Sequence, residues 1–116
     1  MDGKNDRVYV ADVRNKRIEV FDTNGKFLAK WPVEEWGAPT GWYFQDLAID
    51  SQAERLYASS VATDEVLVFD LTGKKIASLR PMLPDKLAGA SSLALVKGKL
   101  YVLNTYASRV SQIDLK

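Results

Sequence analysis

The sequence predicts an all-β protein built from antiparallel four-stranded meander blades of a β-propeller, in an open or partial ring. Three observations carry that expectation. Three segments repeat in tandem at a spacing in the forties. Each holds short runs in which apolar and polar residues alternate with a period of two. Glycine and proline punctuate those runs at repeated positions.

The repeat is read directly from aligned residues. Val8, Tyr9, Phe21, Asp22 and Gly25 become Leu56, Tyr57, Phe69, Asp70 and Gly73 at an offset of 48, from position 8 to position 56. Leu56, Tyr57 and Asp70 become Leu100, Tyr101 and Asp114 at an offset of 44, from 56 to 100. The units span residues 1–32, 44–81 and 91–116 of a single propeller segment.

Each element follows in order. The innermost strand of a unit is Leu47–Asp50 in the second unit and Leu93–Val96 in the third. Small apolar residues suit the crowded strand beside a propeller axis. The second strand opens on Val8-Tyr9, Leu56-Tyr57 and Leu100-Tyr101. In the third strand, Ile18 and Val20 face one way while Arg17 and Glu19 face the other, because successive strand residues point to opposite faces. Glu65–Asp70 repeats this with a more apolar outer face, and Arg109–Asp114 repeats it more weakly. Asp22-Thr23-Asn24-Gly25 and Asp70-Leu71-Thr72-Gly73 are tight turns, since Asn and Gly tolerate positive φ. The fourth strand runs from Lys26 to Trp31 and from Lys75 to Arg80, and Pro32 and Pro81 end it. Met82–Ala90 is the best candidate for a short helical turn.

The first unit lacks its innermost strand and the third lacks its fourth, which leaves ten strands, about two and a half blades. A closed propeller has about four to eight blades. The chain therefore reads as a segment of a longer propeller, or as one that closes a ring with other copies. Incomplete end blades expose apolar surface and unpaired backbone, so self-association through them is expected.

Composition narrows the function. The 116 residues carry a net charge of +1 and no basic block, so nucleic acid is not an expected partner. With neither histidine nor cysteine, the Ser–His–Asp triad, thiolate chemistry and the commonest metal ligands are excluded. Apolar runs are only a few residues long, so no membrane insertion is expected, and no signal peptide is read before the first unit. The compartment is left open.

Residues 8–22, VYVADVRNKRIEVFD, closely resemble the NHL repeat: apolar-Tyr-Val-Ala-Asp, then Asn, Arg-Ile, Val-Phe and a glycine turn. The second unit keeps both ends of the pattern but has Ser60, Thr63 and Glu65 in place of the Asp, Asn and Arg. The third keeps Asn104 and Arg109, with Ala107 for the Asn. The resemblance implies a binding platform, usually for protein or peptide and sometimes for RNA. Some relatives are lyases or hydrolases with a metal in the central channel.

Asp12, Asn15 and Arg17 form the sharpest polar cluster. Asp12 is expected to bond turn amides and to pair with Arg17, fixing the hairpin. Asp22, Asp70 and Asp114 are read as turn caps. Glu34, Glu35, Asp46 and Asp50 are the nearest approach to an oxygen metal site, but no compact Asp-rich loop holds them, and no metal or cofactor is expected. The connectors Pro32–Gln45 and Pro81–Ser91 share a face with the loops between second and third strands in a propeller. That would bring Trp36, Trp42 and Tyr43 near Arg14, Lys16 and Tyr106 as binding residues. Exposed aromatics beside charges suit a protein, a peptide or a glycan; the competing reading makes the same aromatics wedges between blades.

The function expected is a non-catalytic binding or scaffold module working through this connector face. The alternative is a fragment of a propeller enzyme, a lyase or hydrolase, whose catalytic residues lie in blades absent here. Of the residues flanking the innermost strands, only Asp46 and Asp50 could serve such chemistry.

Overall fold

The computed structural model describes residues 6–36, 45–60, 65–79, 90–104 and 109–115. Among them are ten strands in three antiparallel sheets. The first sheet is β1 (Arg7–Asp12), β2 (Arg17–Asp22) and β3 (Phe27–Pro32), in that order. The second is β4 (Leu47–Asp50), β5 (Arg55–Ser60), β6 (Glu65–Asp70) and β7 (Lys75–Leu79). The third is β8 (Ala90–Val96), β9 (Lys99–Asn104) and β10 (Arg109–Asp114). Each sheet is a meander, with every strand paired to its neighbour in sequence. No helix among the described residues is long and apolar enough to cross a membrane.

The repeat in sequence is a repeat in register. Val8 pairs with Phe21 as Leu56 pairs with Phe69 and Leu100 with Ile113. The turns repeat too. The Asp22 carboxylate accepts the Asn24 and Lys26 N–H groups at 2.9 and 2.8 Å, and Asp70 accepts those of Thr72 and Lys74 at 2.9 and 3.0 Å. Gly25 and Gly73 take φ of +87° and +99°, which a residue with a Cβ adopts only under strain. The Thr72 hydroxyl, then the Lys74 N–H, hold the Asp70 carboxyl below its ordinary value. Asp114 departs from the pattern: its carboxylate accepts the Gln112 side-chain amide at 2.8 Å. A β-bulge also repeats, between Val20 and Phe21 and between Val68 and Phe69.

The three sheets stack face to face through two apolar layers. Tyr9, Ile18, Val20 and Trp31 of the first sheet meet Leu56, Ala58, Leu67 and Phe69 of the second. Tyr57, Val66 and Val68 of the second meet Leu100, Val102 and Ile113 of the third. This explains the apolar outer face of Glu65–Asp70: β6 is covered on both sides, and Val66 to Phe69 are all buried. Residues at equivalent register are not all equally buried. Tyr101 and Phe21 are half-buried, whereas Tyr57 and Phe69 are 6% and 3% exposed. Tyrosines at this register face the following sheet and Phe69-type residues the preceding one, so Tyr101 and Phe21 point where the described residues form no further sheet. Two further expectations, the helical turn at 82–90 and the strand end at Pro81, lie outside the described residues, apart from Ala90, which is in β8. A single-turn 3-10 helix instead forms at Glu34–Trp36.

Phe69→Ala should therefore cost about 3–5 kcal/mol, and Phe21→Ala clearly less, in urea unfolding of the two variants. A Cβ at Gly73 would lie 2.7 Å from Trp31 Cδ2, whereas one at Gly25 meets nothing within 4 Å. Gly25→Ala should cost about 1–2 kcal/mol from its φ alone. Gly73→Ala should add roughly 1–3 kcal/mol of overpacking, and equal costs at the two glycines would show that Trp31 does not press on the turn.

Candidate functional site

The connector face begins at the β1–β2 link. Val13–Asn15 makes one 3-10 turn, closed by Lys16 in the left-handed region with φ 52° and ψ 50°. The Asp12 carboxylate accepts the Asn15 side-chain amide at 3.1 and 3.0 Å and Arg17 Nε at 2.9 Å. Asp12 thus pairs with Arg17 as expected, but its second partner is a side chain and not a turn amide; no cap bond is made from it to the 3-10 turn. The Asn15 amide, then Arg17, hold the Asp12 carboxyl below its ordinary value. Arg17 also reaches Glu19 at 3.6 Å. The cluster is an internal brace whose groups satisfy one another.

The outer connector meets this link directly. The Val33 N–H donates to the Lys16 carbonyl at 2.7 Å. Beyond it, Trp36 is 1% exposed and its indole N–H donates to the Ser59 carbonyl at 2.9 Å. This corrects the expectation that Trp36 is a surface contact: it is a wedge between the first and second sheets. The neighbouring Glu35 forms an ion pair with Lys75 of β7, and its carbonyl accepts the Ser60 hydroxyl at 3.4 Å. Burial raises the Glu35 pKa, but Lys75 and a backbone hydrogen bond together outweigh it and leave the carboxyl below its ordinary value.

The acidic residues considered for metal or acid–base chemistry are largely committed elsewhere. Asp46 accepts the Leu47 N–H at 2.9 Å with one oxygen and the Leu93 N–H, in the third sheet, at 3.0 Å with the other. Its backbone N–H donates to the Ser59 hydroxyl at 2.8 Å. Asp50 caps the following turn through the Ala53 N–H at 3.1 Å.

Of the binding residues expected from sequence, Lys16 is exposed and Trp36 is enclosed. The Arg14 side chain, Trp42, Tyr43 and Tyr106 lie outside the described residues. Lys16 borders a cleft of about 240 Å³ with Asn15, Arg17, Lys30, Trp31 and Pro32. Lys30 and Trp31 were not singled out by sequence reasoning. They reach this cleft because β3 pairs Pro32 with Arg17 and Trp31 with Ile18, a placement that needs the register. Lys16 and Lys30 form no ion pair among the described residues. Trp31 is 7% exposed, and its buried indole N–H has no hydrogen-bond partner among the described residues. A second cleft, about 390 Å³, lies between the second and third sheets, with Asp50, Arg55, Tyr57 and Asp114 among its walls. There burial, then the charge of Asp50, raises the Tyr57 phenol above its ordinary value.

Meander sheets stacked face to face around repeated turns define a β-propeller protein. A family model described as a 6-bladed beta-propeller, DUF5128, matches residues 2–113, and the chain belongs to that family. Membership is thus at the level of the propeller, one step coarser than the NHL pattern. Among solved structures the chain is similar to one titled "Crystal structure of RRP9 WD40 repeats", with a TM-score of 0.60 and 12% identity, a likeness of fold alone. The match covers 98% of this chain and 37% of that one. No curated protein matches the chain.

Trp36→Phe should keep the wedge but strand the Ser59 carbonyl, at a cost of about 1–3 kcal/mol in urea unfolding. A cost near zero would mean that the indole bond to Ser59 does not hold in solution.

Proposed function

We propose that this chain is a non-catalytic binding module that holds an acidic, extended protein or peptide segment on its connector face. The cleft between Lys16 and Lys30 carries the reading. Lys16 and Lys30, which form no ion pair among the described residues, line it together with an apolar floor of Trp31 and Pro32. Such a floor accepts the body of a peptide while the rim pairs with its carboxylates. A ligand oxygen that reached the Trp31 indole would also satisfy a buried donor, which otherwise costs free energy. A neutral glycan would leave both ammonium groups unmatched, so it fits less well. In this reading Arg14, Trp42, Tyr43 and Tyr106 extend the same surface, with Trp36 as internal support. The NHL-like pattern of β1 and β2 agrees, since that resemblance implies binding platforms. The enzyme-fragment reading gains nothing from the inner strands, where both Asp46 oxygens accept backbone N–H groups and Asp50 caps a turn.

The test is binding of a fluorescein-labelled Glu-rich peptide, followed by anisotropy. Binding should weaken as salt rises, because exposed charges are screened within about 10 Å at 0.1 M. The double variant Lys16→Glu, Lys30→Glu should weaken it about tenfold or more, equivalent to roughly 1.4 kcal/mol. Its thermal midpoint should stay close to that of the unaltered chain, since both residues are exposed. Binding insensitive to both salt and the substitutions would overturn the reading.

A further inference from the structure

The Lys16–Lys30 cleft opens onto the outer edge of β3. The first sheet runs β1-β2-β3, so one edge of β3 meets no strand among the described residues. Backbone groups point to alternate sides along a strand. The Val33 N–H donates to the Lys16 carbonyl. Trp31 therefore turns its N–H and C=O toward Ile18, its partner on β2, while Lys30 and Pro32 turn theirs out of the sheet. Pro32 suits that side, because it has no N–H to leave unpaired. The edge thus offers the Lys30 N–H, the Lys30 C=O and the Pro32 C=O, and none of them is hydrogen-bonded among the described residues. Sheets in this stack cover one another by their faces, as the second covers the first, and such a contact leaves the edge of an outermost strand alone.

This edge also selects by charge. Lys26 and Lys30 are exposed and form no ion pair among the described residues. Lysine and proline on an edge strand deter a neutral or basic strand from pairing there. The same lysines favour an acidic one. The equivalent edge on the second sheet differs: Ser78 of β7 stands opposite Leu67 as Lys30 stands opposite Glu19, and Lys75 is already paired with Glu35.

Resting on the proposed binding of an acidic segment at this cleft, we infer that the segment binds as an added strand, antiparallel to β3, with acidic residues at alternate positions. The residue opposite Lys30 exchanges two main-chain hydrogen bonds with it. The residue two positions earlier donates a third to the Pro32 carbonyl. Directly opposed side chains share a face of the sheet, so an acid opposite Lys30 meets its ammonium group. The acid two positions earlier lies beside Pro32, which borders the cleft with Lys16. Main-chain bonds then supply affinity, and the alternate side chains supply specificity.

The test uses a fluorescein-labelled peptide that alternates threonine and glutamate, followed by anisotropy. In the added strand the glutamate N–H groups face β3 and the threonine N–H groups face water. N-methylating every glutamate should weaken binding about tenfold or more. N-methylating every threonine should leave it close to that of the parent peptide. With the parent peptide bound, the Lys30 amide should exchange its hydrogen more slowly in NMR. If the parent binds with the expected dependence on salt and on Lys16 and Lys30, but the two N-methylated peptides bind alike or the Lys30 amide is unchanged, strand addition is overturned and the acidic-segment reading stands. Loss of binding on methylating threonine alone would overturn the assigned register. A parent peptide that does not bind would overturn both readings.

Discussion

Everything in this structure depends on burying both faces of a β-sheet. A strand covered on one side alternates apolar and polar residues, and one covered on both sides cannot. The second sheet meets that second condition. Val66 and Val68 enter one apolar layer and Leu67 and Phe69 the other, and all four are buried. Among the described residues the outer sheets meet it on one face only. Burial of apolar surface, at about 25 cal/mol per Å², therefore acts along the stack and not within any one sheet. No sheet here is a stable unit by itself, which is the energetic logic of a repeat architecture.

Apolar layers attract without fixing alignment, and polar contacts supply it. The Trp36 indole donates to the Ser59 carbonyl, tying the first connector to the second sheet. Asp46 binds the start of β4 with one oxygen and Leu93 of β8 with the other. Lys75 and Glu35 make the same kind of link between the second sheet and the first connector. These contacts are directional, and the bonds from Trp36 to Ser59, from Glu35 to Lys75 and from Asp46 to Leu93 each join the second unit to a connector or to another unit, so they set how one sheet sits on the next.

The parts of this arrangement legible in the sequence are those carried by local pattern. Register follows from Tyr9, Tyr57 and Tyr101, and the turns follow from Asp22 and Asp70 with their glycines. The bulge at Phe21 and Phe69 was not legible, because nothing at Phe27 or Lys75 announces that the outer strand slips by one residue. Trp36 was ambiguous for a different reason: an aromatic in a connector looks the same whether it folds inward or outward, and the Ser59 carbonyl that decides the matter is 23 residues away. The Asp46–Leu93 bond spans 47 residues and leaves no trace in either neighbourhood. Lys30 carries no signal of its own in the sequence, because only strand pairing sets β3 beside the Lys16 link.

Trp31 connects the candidate site to the stack. It borders the Lys16–Lys30 cleft, and its ring lies 6.3 Å from that of Tyr9 and 6.1 Å from that of Phe69. The Gly73 turn of the second sheet closes over it, with no room for a methyl group between them. The cleft floor thus belongs to the interface between two sheets, and its position is set by the second sheet as much as by the first. Under the proposed function, a ligand that contacts Trp31 would favour the stacked arrangement, because the second sheet packs against that ring. By mass action it would then stabilise the contact between the sheets as well as occupying the cleft. Under that function, recognition and assembly would draw on the same interface, and a substitution on the far side of Trp31 would reach the site without touching a ligand.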